Sequence, residues 1–90
     1  MAKKQTNPAP EKGNPPVAKL RNGLLNATIW AHVTEKGTFY NVTFERRYRD
    51  AKGDWKSTQS FDRASLLKLA KLADQAETEI ARLMAMEAAE

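Results

Sequence analysis

Thr38-Phe39-Tyr40-Asn41-Val42-Thr43-Phe44-Glu45-Arg46-Arg47-Tyr48-Arg49 is the stretch whose reading decides the fold. It follows a Lys36-Gly37 turn signal and opens in strict alternation. Tyr40, Val42 and Phe44 fall on one side, and Phe39, Asn41 and Thr43 on the other. Successive strand side chains point to opposite faces, so the pattern predicts a strand with one buried and one wet face. The far end changes character, with three arginines and a tyrosine over positions 46–49. A strand that is core at one end and cationic-aromatic at the other is the expected middle of a small binding sheet.

Upstream, residues 24–34 alternate in the same way. Leu25, Ala27, Ile29, Ala31 and Val33 share one face, and Asn26, Thr28, Trp30, His32 and Thr34 the other. This is a second long strand, joined to the first through Glu35-Lys36-Gly37 as a hairpin. Its small and β-branched face should pack with Tyr40, Val42 and Phe44. Trp30, His32 and Phe39 are left on the opposite side with Asn41 and Thr43, and a tryptophan on a wet face marks a contact surface. A dimer interface or a covering loop would use the same residues. Downstream, Asp50-Ala51-Lys52-Gly53-Asp54 is a turn, and residues 55–61 form a further strand, whole or broken in two. Trp55, Ser57, Gln59 and Phe61 lie on one of its faces, and Lys56, Thr58 and Ser60 on the other.

A helix follows. Asp62 is a good N-cap, Ser65 stands three residues on, and Phe61 and Leu66 are spaced as a hydrophobic staple. From Arg63 onward there is no Gly or Pro. Leu66, Leu69, Ala73, Ala76, Ile80 and Leu83 mark one face, widened by Leu67, Ala70, Leu72 and Met84. About 25 helical residues span ~38 Å, against ~25–30 Å for strands of eight or nine residues. The half from Ala76 to Met86 therefore needs another apolar surface, which a second copy of the chain would supply. The dimer contact is expected at Leu69, Ala73, Ala76, Ile80, Leu83 and Met84.

The fold class is thus α+β: a small antiparallel twisted sheet of three to four strands, one long amphipathic C-terminal helix, and a homodimer. Ninety residues allow one domain, and one so small is marginal alone. Residues 1–16 hold all four prolines and little to bury, and read as a disordered arm. The domain is expected over 17–90. There is no cysteine, which excludes disulfides, thiolate zinc sites and cysteine nucleophiles. No apolar run approaches the ~20 residues that cross a bilayer. The N-terminal lysines precede no hydrophobic segment, so no signal peptide is expected. The location expected is cytoplasmic, associated with the nucleoid if the source is bacterial. The net charge of +4 is uneven. Residues 17–61 carry eight Lys/Arg against four Asp/Glu, whereas residues 62–90 carry four against six. That favours an anionic partner on the sheet side.

Catalytic chemistry is not visible. His32 is the single histidine and has no second ligand at helical or turn spacing; the glycines do not cluster into a phosphate loop. Asp50 and Asp54 are turn residues, and Asp74, Glu77 and Glu79 lie on the polar side of the helix. No carboxylate pair is set against an apolar pocket as acid–base catalysis needs. The expectation is no enzyme, no metal, no cofactor, no small-molecule substrate and no membrane.

What remains is Trp30, Phe39, Tyr48 and Trp55 interleaved with Arg46, Arg47, Arg49 and Lys56. Single-stranded nucleic acid is bound in this manner, aromatic faces stacking on unpaired bases while cations track the backbone. From Leu24 to about Leu83 the chain resembles the positive-cofactor-four type of transcriptional coactivator, a family of single-stranded-DNA-binding proteins. Val42-Thr43-Phe44-Glu45-Arg46-Arg47-Tyr48-Arg49-Asp50-Ala51-Lys52-Gly53-Asp54-Trp55-Lys56 carries the resemblance. It is similar to that family's strand, aromatic–x–Asp–x–x–Gly turn and basic strand. The resemblance implies four strands and a helix, a dimer through the helices, and single-stranded nucleic acid across the sheets. Tyr48 stands at the family's base-stacking aromatic and Lys56 at its lysine after the turn. Ser57-Thr58-Gln59-Ser60 departs from the family's longer Gly- and Lys/Arg-rich strand, a loss that Arg46, Arg47 and Arg49 can offset. Strict alternation puts Arg46 and Tyr48 on the core side and Arg47 and Arg49 on the wet side. A bulge near Glu45 or a strand end overhanging the helix would reconcile them. The function expected is non-catalytic binding of single-stranded nucleic acid with low sequence specificity, in transcription or replication. The alternative is a protein–protein adaptor anchored at Trp30 and Phe39.

Overall fold

The structure, a computed structural model, describes residues 15–88. All but the last two positions of the arm expected over 1–16 lie outside the described residues, as do the last two of the domain. The elements are β1 (Ala18–Asn22), β2 (Leu25–Thr34), β3 (Gly37–Arg49), β4 (Trp55–Thr58) and α1 (Arg63–Ala88). The strands form one open antiparallel sheet in the order β1-β2-β3-β4. With the single helix on one face, the fold is α+β.

Each connection has a local cause. Asn22 pairs with Leu25 across a two-residue loop in which Gly23 takes φ +64°, a region open to glycine at little cost. Thr34 pairs with Gly37 around Glu35-Lys36, and the Thr34 hydroxyl accepts the Lys36 N–H at 3.1 Å. Between β3 and β4 the Asp50 carboxylate accepts the N–H groups of Lys52 and Asp54, both at 2.9 Å. A short polar side chain that bonds its own backbone two residues on is the standard reason for aspartate in a turn.

The alternation in residues 24–34 is borne out over Leu25, Ala27 and Ile29, which are buried; further along the same face Ala31 is half-buried and Val33 is exposed. With Leu72 and Ala76 of α1 the first three are the buried core, and Leu20, Val42, Phe44, Phe61 and Leu69 pack around it. α1 lies on β2 and β1. Its start is capped as expected: the Ser65 N–H donates to the Asp62 carboxylate at 3.1 Å. Hydrogen bonding from Ser65 holds that carboxyl below its usual range. The Asn22 amide donates to the Lys68 carbonyl at 3.1 Å near the start of the helix. Towards its end the Tyr40 hydroxyl donates to the Glu87 carboxylate, which raises the Tyr40 pKa.

The structure adds one strand and corrects two expectations. β1 is a strand that alternation alone did not delimit, because its five residues hold one large apolar side chain, Leu20. Pairing with β2 defines it. The last strand ends at Thr58 rather than 61. Beyond the Arg46–Thr58 pair the chain leaves the sheet, and Phe61 is drawn into the core ahead of the helix cap. The helix stripe is borne out at Leu69, Ala76, Ile80 and Leu83, which are buried or half-buried, but it is centred on Leu72, read only as its margin. Leu72 is its fully buried centre, while Leu66, Leu67 and Ala73 are exposed. Apolar residues crowd the first turns on every side, so periodicity leaves the exact centre of the stripe open, and packing against β2 places it at Leu72 rather than at Leu66 and Ala73. No described helix is long and apolar enough to cross a membrane.

Candidate nucleic-acid interface

Residues opposite one another in an antiparallel pair share a face, so the register assigns every side chain. The face under α1 takes Leu25, Ala27 and Ile29 with their partners Arg46, Phe44 and Val42. The other face is open. It is built of cross-strand rows: Lys19–Thr28–Thr43, Arg21–Asn26–Glu45, Trp30–Asn41, His32–Phe39, Arg47–Ser57 and Arg49–Trp55.

At the β3–β4 end of this face two arginines converge on one indole. The Arg47 guanidinium carbon is 4.9 Å and that of Arg49 5.3 Å from the Trp55 ring centroid. Such contacts are worth about 0.5–1 kcal/mol at exposed sites, and here they hold three flat groups together on a ring that is still 49% exposed. The β1 end contributes Lys19 and Arg21, both exposed. Trp30 is half-buried and lies one cross-strand row beyond Lys19–Thr28–Thr43, towards the hairpin turn. Its indole N–H donates to the Thr43 hydroxyl at 3.1 Å, which pins the ring against the sheet. Phe39 is 53% exposed, across from His32 near the hairpin turn. The face thus sets four cations against one carboxylate, Glu45. Two shallow depressions meet at that residue. Lys19, Arg21, Asn26 and Thr28 line one, and Arg47, Trp55, Lys56 and Ser57 the other.

The eight residues expected to touch nucleic acid therefore divide. Trp30, Phe39, Arg47, Arg49 and Trp55 share the open face, with Arg47, Arg49 and Trp55 clustered at its β4 end and Trp30 and Phe39 towards the hairpin turn. Arg46 and Tyr48 are on the side of the helix; Lys56, opposite Tyr48 on the edge strand, also lines the depression beside Trp55. Arg46 donates to the Ser60 carbonyl at 3.1 Å and lies 5.9 Å from the Tyr48 ring centroid, and Lys56 pairs with Asp50 at 3.6 Å. These contacts tie β3, the turn and the segment before α1 together. The pairing from Thr34–Gly37 to Leu25–Arg46 is continuous. No bulge intervenes, which removes the first of the two arrangements that alternation left open. Lys19 and Arg21 were missed by sequence reasoning; their flanking of Leu20 in a period of two was the available signal.

Of the expected dimer residues, Ala76 is buried and Leu69 packed against the chain's own sheet. Ile80 and Leu83 are half-buried, and Ala73 and Met84 exposed. Among the described residues no three His, Asp or Glu side chains are grouped to hold a metal ion. The open face offers stacking surfaces and fixed positive charge, and in chemical terms that suits a flexible polyanion with flat substituents.

No family model, curated protein or solved structure matches this chain.

Proposed function

We propose that the open face of the sheet binds single-stranded nucleic acid without catalysis. The observation that carries this reading is the stack of Arg47 and Arg49 on the half-exposed ring of Trp55, on the same face as Trp30, Lys19 and Arg21. Unpaired bases stack on aromatic and guanidinium planes with little regard to sequence, while the cations neutralise phosphates. An open sheet face with exposed aromatic rings meets the splayed bases of a single strand better than the stacked pairs of a duplex, whose flat surfaces are hidden. The resemblance of Val42–Lys56 to the positive-cofactor-four type of coactivator supports the same reading, and with it a role as an accessory factor of transcription or replication. That role implies a cytoplasmic protein, associated with the nucleoid in a bacterium.

A homodimer belongs to the proposal. Met84 and Met86 on α1 and Val33 at the hairpin end of β2 are all more than half exposed. A second copy is the partner that would cover them.

Fluorescence anisotropy with a labelled mixed-sequence 20-mer, single-stranded and then duplexed, tests the reading. Single-strand affinity should fall log-linearly with salt, and duplex should compete poorly. Replacing both arginines (Arg47→Ala with Arg49→Ala) should weaken binding and flatten the salt slope by about 1.4, at about 0.7 for each lost phosphate contact. An unchanged slope would reject the assignment of these residues. Absence of binding even at low salt would leave the adaptor anchored at Phe39 and Trp30 as the better reading.

A further inference from the structure

Glu45 is out of place on a surface for phosphates. It is exposed, and it stands where the two depressions of the open face meet, between Arg21 and Lys19 on one side and Arg47 and Trp55 on the other. Any strand that used both cationic ends would cross it. Its directly opposed neighbour is the neutral Asn26 rather than a cation, and among the described residues it makes no ion pair. Among the described residues, no partner absorbs its charge. A carboxylate in that position repels a passing phosphate, so a strand held by the cations on either side must turn a base, not its backbone, toward it.

From this we infer that Glu45 reads the Watson–Crick edge of an unpaired base and biases the surface toward guanine. The inference rests on the proposed single-strand binding and adds a base preference at one position to it. Guanine is the base whose edge fits a carboxylate with two parallel donors: its N1–H and one N2–H can each meet one oxygen, a bidentate charge-assisted pair. Adenine and cytosine offer one amino group beside a ring nitrogen acceptor that repels the second oxygen. Thymine offers one N–H flanked by two carbonyls. Trp55 and the guanidinium of Arg47 lie beside the carboxylate as stacking planes for the base it holds.

The test is competition anisotropy with unlabelled 12-mers of alternating sequence: thymine with guanine, hypoxanthine, adenine or cytosine, and all-thymine. Adenine controls for the stronger stacking of purines, and hypoxanthine keeps the N1–H but lacks the 2-amino group. The wild-type protein should prefer the guanine oligomer to the adenine one by about five-fold or more, the scale of a good bidentate base contact, with hypoxanthine between them. Glu45→Ala should bring guanine and adenine together while holding or raising affinity for all-thymine, since a repulsive charge is removed. Glu45→Gln, which keeps the size and one acceptor, should retain only part of the preference. Equal binding of guanine and adenine by the wild type overturns the inference and leaves single-strand binding standing, as does a guanine preference that survives in Glu45→Ala. Failure of every oligomer to bind overturns both.

Discussion

Individual side chains on the sheet do different work according to the face on which alternation puts them. Trp55 and Tyr48 are both aromatic and both adjoin arginines, yet Trp55 faces open solvent and Tyr48 lies on the helix side. If the open face is the binding surface, Trp55→Ala should cost about 1–3 kcal/mol of oligonucleotide binding, the range for loss of one stacked base. Tyr48→Ala should leave affinity nearly unchanged and instead lower the melting temperature. Parallel titrations and thermal melts separate the two. Equal losses of affinity would mean that the strand wraps the sheet end rather than lying on one face. The same logic makes Arg46 and Lys56 structural: each is engaged with a backbone carbonyl or a turn carboxylate of its own chain.

At the level of elements, stability rests on a narrow seam. Among the described residues, the buried side chains are three from β2 and two from α1, with β1 and β3 contributing flanking residues. Leu72 is the one large helix residue that is fully buried. Leu72→Ala should therefore destabilise the domain by about 2–5 kcal/mol, combining lost transfer energy with a cavity that two stiff layers cannot close. Leu67→Ala, at a position 84% exposed, should change it little. Chemical denaturation of both variants checks the assignment, and similar midpoints would mean that the helix face is wrong. Periodicity alone admits a centre at Leu66 and Ala73, so only contact with Leu25, Ala27 and Ile29 places it at Leu72.

The whole molecule is a two-layer sandwich in which one layer is too long and the other only partly covered. α1 runs 26 residues, about 39 Å at 1.5 Å per residue, and lies on β1 and β2 rather than over the full sheet. Val42 and Phe44 remain half-buried on the helix side of β3. Sedimentation velocity at micromolar concentration should report a dimer. Leu83→Glu combined with Met84→Glu should convert it to a monomer that keeps its secondary structure. A wild-type monomer across that range would remove the dimer from the proposal. Dimerisation would also matter for binding, because two linked faces raise avidity when a strand is long enough to reach both.

Much of this architecture is written in local pattern. Alternation in residues 24–34 and 38–44 determined both central strands and their buried sides, because side-chain direction in a strand is a matter of parity. Asp62 and the absence of Gly and Pro after it determined where the helix begins. Parity also separated Arg46 and Tyr48 from Arg47 and Arg49, but a single bulge would have reversed that, and only the uninterrupted β2–β3 register excluded it. The existence of β1, and with it the placing of Lys19 and Arg21 on the open face, came from pairing with β2. The centre of the buried stripe of α1 came from packing on that same strand. Parity and capping act within a few residues and can be read along the chain. Strand register and helix rotation are settled by contacts between segments far apart in sequence, and those exist only once the chain has folded.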